Sequence, residues 1–382
     1  MKLMHLSDLH LGKLVLEQSM IDDQKYILNQ IIEIVKKDRV DIVLIAGDVY
    51  DKSIPTIEAV NLFSNFLTKL YKLKVLVFVI SGNHDSKDRL SFGNELFVDN
   101  GIYIEGIFNG NLRCETINDK YGKLNIYMLP FIKPVEIKRF YPDEIIDTYE
   151  DAIKCILKHS SINKSERNII MVHQFVTSLG EDVIRSDSES ISLGGIDNID
   201  VTLFKDFDYV AMGHIHGPQK VGRETARYSG SPLKYSFSEV NQKKSVCIIE
   251  FNSKEDINIS KIPLIPIRDM RVIKGPFDKL ISKEIVNLEN KNDYLDVVLT
   301  DDDYIINAIG KLRKFYPNIL KLEYENKISS NEVLDNIDID KSNMSPIDLF
   351  SEFYKMQNGI ELPAKKKKII EEVIKEVSDE AN

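Results

Sequence analysis

The chain has 382 residues, 43% of them hydrophobic, enough to bury a large core, and its length suggests two or three domains rather than a small stapled scaffold. Lys and Arg number 50 against 60 Asp and Glu, a formal net charge of -10, so bulk charge gives no sign of a nucleic-acid binder. Cys114, Cys155 and Cys247 stand alone, with neither disulfide nor zinc spacing, which excludes a secreted disulfide framework and fits a reducing compartment.

From Met1 to about Ile262, short apolar runs alternate with helical patterns, the latter over Asp22 to Lys37, Thr56 to Tyr71, Lys87 to Asp99 and Glu144 to Ser160. Runs such as Ile42 to Ala46 and Ile169 to Val172 are β-branched and unbroken by polar residues, as strands buried on both faces are. The pattern predicts a layered α/β sandwich over residues 1–262. Pro263 and Pro266 mark its exit. Residues 263–326 then read as a small α+β unit: strand at Tyr294 to Leu299, helix at Tyr304 to Phe315, strand at Ile319 to Tyr324.

Residues 327–345 are rich in Asn, Asp and Ser and predict a flexible linker. Residues 346–378 read as two amphipathic helices. Ser345-Pro346 offers an N-cap and first-turn proline, followed by Ile347, Leu349, Phe350, Phe353, Tyr354 and Met356. The second helix carries Ile369, Ile370, Val373, Ile374 and Val377 on one stripe. Such helices either fold back on the body or grip another protein. No apolar run is long enough to span a bilayer and no signal-like segment precedes the strand pattern at Lys2, so a cytoplasmic protein with no membrane partner is expected.

Chemistry concentrates in an ordered series of five segments: Asp8-Leu9-His10, Gly47-Asp48, Gly82-Asn83-His84-Asp85, His173, and Gly213-His214-Ile215-His216. Each follows an apolar run, so the series falls just past strand ends, the edge at which open α/β sheets bind ligands. Carboxylate, amide and imidazole donors without cysteine suit hard or borderline ions such as Mn, Fe or Zn. Two divalent cations about 3.5–4 Å apart can drive displacement at phosphorus, and one carboxylate must bridge them, a part open to Asp48. Lys13 follows the first segment, Lys87 and Arg89 follow the third, and Lys234 lies just past Ser229-Gly230-Ser231-Pro232; each is a candidate to neutralise phosphates. Lys365 to Lys368, at the start of an amphipathic helix, reads as a solvated face instead.

This series resembles the calcineurin-like metallophosphoesterases. Further stretches narrow the resemblance: Met4 to Gly12, Ala46 to Asp51, Gly82 to Ser86, Tyr228-Ser229-Gly230-Ser231-Pro232-Leu233-Lys234-Tyr235-Ser236-Phe237-Ser238-Glu239, Leu312 to Leu320 and Leu349 to Tyr354 are similar to the SbcD family of nuclease subunits. The resemblance implies two divalent cation sites that take manganese: Asp8, His10, Asp48 and His216 for one ion, Asp48, Asn83, His173 and His214 for the other. It implies that His84 acts on the phosphate, oriented by Asp85, and that residues 263–326 cap the site over DNA. It also implies a metal-dependent DNA nuclease, with 3′-to-5′ exonuclease activity on double strands and endonuclease activity on single strands, in break and hairpin processing. The implied partner is an SbcC-type coiled-coil ATPase, gripped by Leu349, Phe350, Phe353, Tyr354, Ile370 and Ile374, and the implied assembly a homodimer formed through the Thr56 to Tyr71 and Lys87 to Asp99 segments. A phosphatase of small molecules or phosphoproteins would not need the capping and tail segments. A non-catalytic scaffold would be expected to lack ligands, and none is missing.

Overall fold

The computed structural model describes residues 1–178, 183–189, 197–286, 290–325, 345–358 and 361–380. Two six-stranded sheets form the body. The first runs, in spatial order, Asp256–Pro263, Ser245–Ser253, Lys2–Leu6, Ile42–Ala46, Leu76–Ile80, Ile102–Glu105, and its last four strands are parallel. The second runs Gln219–Val221, Arg223–Tyr228, Tyr209–Gly213, Arg167–His173, Gly122–Leu129, Arg113–Asp119, with its four central strands parallel.

Alternation along each strand explains the layering. In Ile42–Ala46, Ile42, Leu44 and Ala46 meet Ile126, Met128, Ile169, Met171 and Ala211 of the opposite sheet, while Val43 and Ile45 face the helices outside. The helix Ile21–Asp38 turns Ile27, Leu28, Ile31, Ile32 and Val35 onto that outer face and ends at Arg39, whose φ of 54° is left-handed. Beside it Ile57–Lys72 starts at Thr56, whose hydroxyl accepts from the Ala59 amide and satisfies an end that would otherwise be open. The helix Tyr149–Lys158, capped by Thr148, covers the second sheet with Ala152, Ile153 and Ile156. Each such buried side chain contributes roughly 1.5–3 kcal/mol, so the four-layer α/β sandwich follows from strands that are apolar on both faces.

The smaller unit has a strand that the apolar pattern does not announce. Met270–Gly275, Tyr294–Leu299 and Ile319–Tyr324 form a parallel three-stranded sheet in sequential order. Met270–Gly275 is hidden in the sequence because Arg271 and Lys274 interrupt its apolar pattern at the sheet edge. The helix expected from Tyr304 shrinks to Ala308–Leu312, since Asn307 takes a left-handed φ of 53° directly before it and Tyr304 and Ile306 remain exposed. The predicted Lys87 to Asp99 helix likewise divides into Lys87–Leu90 and Asn94–Val98 at Gly93, whose φ is 74°.

The unit is anchored to the body. Arg268 donates to both oxygens of the fully buried Asp23, at 3.0 and 2.6 Å, and the Tyr294 hydroxyl adds a bond at 2.9 Å. Met270 and Tyr294 complete the core beneath the Ile21–Asp38 helix. In the tail, Pro346–Asn358 and Ala364–Glu380 pair as helices, with Lys366 Nζ bonded to the Tyr354 hydroxyl at 3.0 Å. Leu349 and Phe353 are exposed, whereas Phe350, Tyr354, Ile370 and Ile374 are half-buried. Of the stretch read as a linker, residues 327–344 lie outside the described residues. No helix among the described residues is long and apolar enough to cross a membrane.

Candidate functional site

Because the neighbouring strands are parallel, the turns after Lys2–Leu6, Ile42–Ala46, Leu76–Ile80, Arg167–His173 and Tyr209–Gly213 leave the sandwich on one edge. The first two are stitched together by the amides of Asp8, His10 and Leu11, which donate to the carbonyls of Gly47, Asp48 and Val49 at 2.9–3.0 Å. Asp8, His10 and Asp48 stand on left-handed backbone, with φ of 52°, 43° and 49°, and His214 has φ of 102°. Non-glycine residues seldom adopt this region, and strained conformations of this kind gather at functional sites. Glycines admit the close approach. A Cβ at Gly213 would lie 1.9 Å from the Ala46 carbonyl oxygen, and one at Gly82 would lie 2.1 Å from Asp48 Oδ1.

Asp48 sits at the centre. Its Oδ2 lies 3.6 Å from His10 Nε2 and 3.3 Å from His173 Nε2, and its Oδ1 accepts from the His84 amide at 2.9 Å. On one side Asp8, His10 and His216 converge, their ligand atoms within 4.8 Å of one another and the two Nε2 atoms 3.1 Å apart. On the other, Asn83 Oδ1 lies 3.0 Å from both His173 Nε2 and His214 Nδ1. The His173 Nδ1–H donates to the Ala46 carbonyl at 2.8 Å, which leaves Nε2 as the nitrogen facing Asp48. The His214 amide donates to Asp8 Oδ1 at 3.0 Å, tying the last segment to the first.

Burial and the neighbouring charges set the electrostatics of this gathering. Burial pushes Asp8 up to about 6 and His214 down to about 3, and it holds His10 well below its ordinary value. Asp48, which burial would raise, is instead kept far below the usual carboxylate range by His173 and His10. Burial also opposes protonation of His173, yet Asp48 and Asp8 carry that imidazole up to about 9. Two buried carboxylates thus favour positive charge beside them, here on the nearest imidazole. A mixed N/O donor set with this charge fits divalent ions of hard or borderline character.

His84 borders the gathering, with a ring nitrogen within 4.8 Å of donor atoms of His10 and Asp48. Its ring packs edge-on against His10 with centroids 4.8 Å apart, and its Nδ1–H donates to the Asp51 carbonyl at 2.9 Å. Asp85 does not orient that ring. Both of its oxygens are taken by backbone amides, Gly82 at 2.9 Å, Tyr50 at 2.9 Å and Val49 at 3.1 Å, so it staples two of the turns together. A short acid one residue from the histidine reaches the neighbouring turn's amides more readily than its own neighbour's ring.

Three of the four cations proposed for DNA are committed within the chain. Lys13 lies 2.8 Å from Asp51 Oδ1, Lys87 donates to both Glu136 oxygens at 2.6 Å, and Lys234 bonds Val240 O and pairs with Asp269 at 2.8 Å. Acidic neighbours distant in sequence neutralise them, which spacing could not reveal. Arg89 is exposed, and its guanidinium has no partner among the described residues. Supports also emerge that sequence reasoning missed. Gln24 Nε2 donates to His10 O at 2.7 Å, and Tyr235 OH donates to Leu9 O at 2.5 Å. Tyr235 lies in the Ser-Gly-Ser-Pro stretch already singled out, whereas Gln24 carries no signal beyond its place on a helix.

The calcineurin-like phosphoesterase family matches residues 1–218, and the family described as Type 5 capsule protein repressor C-terminal domain matches residues 266–358. The chain is 36% identical over 328 residues to the SbcD subunit of the SbcCD nuclease of Staphylococcus epidermidis, covering 84% of this chain and 85% of that protein. It is 32% identical over 387 residues to the SbcD subunit of the SbcCD nuclease of Staphylococcus saprophyticus, covering 100% of both. Among solved structures, TT1561 of Thermus thermophilus superposes with a TM-score of 0.41 at 11% identity, over 68% of this chain and 98% of that one.

Proposed function

The chain belongs to the calcineurin-like phosphoesterases and, within them, to the SbcD family of nuclease subunits, and from that membership we propose that it cleaves DNA phosphodiesters at a two-cation centre in company with an SbcC-type ATPase. The observation that carries the reading is the position of Asp48 Oδ2, 3.6 Å from one group of donors at His10 and 3.3 Å from the other at His173. Asp8, His10, Asp48 and His216 would hold one ion and Asp48, Asn83, His173 and His214 the other. A pair of divalent ions held there, which we assign as manganese, would supply water activation and charge neutralisation at the phosphate.

The chain's own groups do the rest. Asp48 keeps the two donor sets in register. His84, with Nδ1–H held by Asp51 O, keeps Nε2 available to the scissile phosphate, and as the imidazolium, with both nitrogens protonated, it hands the Nε2 proton to the departing oxygen and is left neutral with its proton on Nδ1. Its half-buried position beside His10 gives a substrate access to that nitrogen. Arg89 is the phosphate contact we retain of the four cations, since its charge is not spent within the chain. Exposed Ile57, Val60, Phe92 and Leu96 support assembly of two copies through this face. Exposed Leu349 and Phe353, with Phe350, Tyr354, Ile370 and Ile374 beside them, support docking of the tail on the coiled coil of the ATPase.

The activities we assign are 3′-to-5′ exonuclease action on double strands and endonuclease action on single strands, serving break and hairpin processing in the cytoplasm. Manganese-dependent digestion of linear, hairpin and circular DNA, with and without the ATPase, tests this. Degradation of linear ends from the 3′ side and nicking of single-stranded circles are expected. A protein that hydrolyses phosphate monoesters and leaves every DNA intact overturns the reading.

A further inference from the structure

Behind the first group of donors lies a charged pair to which the catalytic reading gives no task. Glu239 has no exposed surface and Lys244 is 6% exposed, a depth at which ions persist only when paired and hydrogen-bonded. Lys244 Nζ shares its N–H donors among four acceptors, Glu239 Oε2 at 2.6 Å, Gln242 Oε1 at 2.7 Å, Ser231 Oγ at 2.8 Å and the His216 carbonyl at 2.8 Å. Glu239 Oε1 accepts from the Ser188 hydroxyl at 2.6 Å and the Tyr235 amide at 3.3 Å, and lies 3.3 Å from His216 Nδ1. The Ser188 oxygen is itself 2.8 Å from that Nδ1. Glu189 Oε1 accepts from the His216 amide at 2.7 Å.

These bonds have one consistent direction. The Ser188 hydroxyl spends its proton on Glu239, so it meets His216 Nδ1 with a lone pair, and the carboxylate meets the same nitrogen with another. Nδ1 therefore carries the imidazole proton, and Nε2 turns its lone pair toward His10 and Asp8. We propose that Glu239 is the positioning residue of His216, fixing its tautomer and ring, with Lys244 as the counter-charge that lets a carboxylate do this without adding to the negative charge of the donor set. Lys244 also clamps the His216 carbonyl, so one pair restrains the ligand at ring and backbone. Outer partners of this kind typically set metal affinity by 10–100-fold. The proposal rests on His216 being a ligand of the first ion.

Calorimetric titration with manganese of the full-length parent, Glu239→Gln, Glu239→Asp and the double variant Glu239→Gln/Lys244→Met tests it. Thermal melting without metal and imidazole nitrogen NMR of the metal-free chains run alongside. The parent is expected to take up two ions, and every folded Glu239 variant to bind one of them 10–100-fold more weakly while the other is unchanged. The His216 ring is expected to pass from a single Nδ1-protonated tautomer to a mixture. Glu239→Gln alone leaves Lys244 buried without its partner; should that chain not fold, Glu239→Asp and the double variant, which keep the local charge balanced, decide. A folded Glu239 variant that binds both ions with parental affinity overturns the positioning role. A parent that takes up fewer than two ions overturns the two-cation reading itself.

Discussion

Replacing His84 by Ala removes an imidazole whose ring is held by the Asp51 carbonyl while leaving the donors around Asp48 in place. His84→Ala is therefore expected to retain both ions and lose cleavage by on the order of 10²–10⁴, the usual contribution of one general acid. Metal analysis beside a nuclease assay checks it, and loss of an ion would show that His84 is a ligand. Asp48→Ala should weaken manganese binding more than Asp8→Ala, because Asp48 Oδ2 faces both His10 and His173 and is assigned to both ions, whereas Asp8 is assigned to one. Calorimetry on the two variants measures the difference; equal losses would remove Asp48 from the bridging role. At this scale residue types were legible and partners were not. The ordered His, Asp and Asn residues announced metal chemistry, but that Asp85 serves backbone amides and Lys87 serves Glu136 depends on neighbours brought in by folding.

Between elements, the joint of the small unit with the body turns on Asp23, a carboxylate on the Ile21–Asp38 helix with no exposed surface. Arg268 and Tyr294 both spend hydrogen bonds on it. Asp23→Ala leaves a guanidinium and a phenol without their acceptor, and a lost hydrogen bond to a charged group costs roughly 1.5–3 kcal/mol, so stability should fall by about that much. Denaturant unfolding followed on the small unit and on the body would register it, with the small unit released first. An unchanged midpoint would place the anchorage in the apolar contacts of Met270 and Tyr294 instead. Long strands with unbroken apolar runs could be read directly. Met270–Gly275, an edge strand with basic residues, and the Lys87–Val98 segment, cut by Gly93, could not, because pairing and backbone angle decided them rather than periodicity.

For the molecule as a whole, deleting residues 345–382 is expected to leave manganese-dependent cleavage of short DNA and remove association with the ATPase. The candidate ligands all precede Pro218, and the tail presents exposed Leu349 and Phe353 on its own paired helices. Phe350 and Phe353 replaced together by Ala should reproduce the loss, at roughly 2 kcal/mol or more for each aromatic that lies at the centre of an interface. Co-purification with the partner and a plasmid-nicking assay decide; a truncated chain that still holds the ATPase sinks the docking assignment. By itself the sequence determined the layered α/β architecture and the chemical kind of the site, because strand burial and ligand identity are written in local residue types and order. Only the tertiary structure decided that four of the candidate ligands stand on left-handed or strained backbone, that three basic candidates are already neutralised, and that Glu239 and Lys244 stand behind His216. Those are properties of contacts between residues far apart in the chain, and no local pattern encodes which distant charge will arrive beside another.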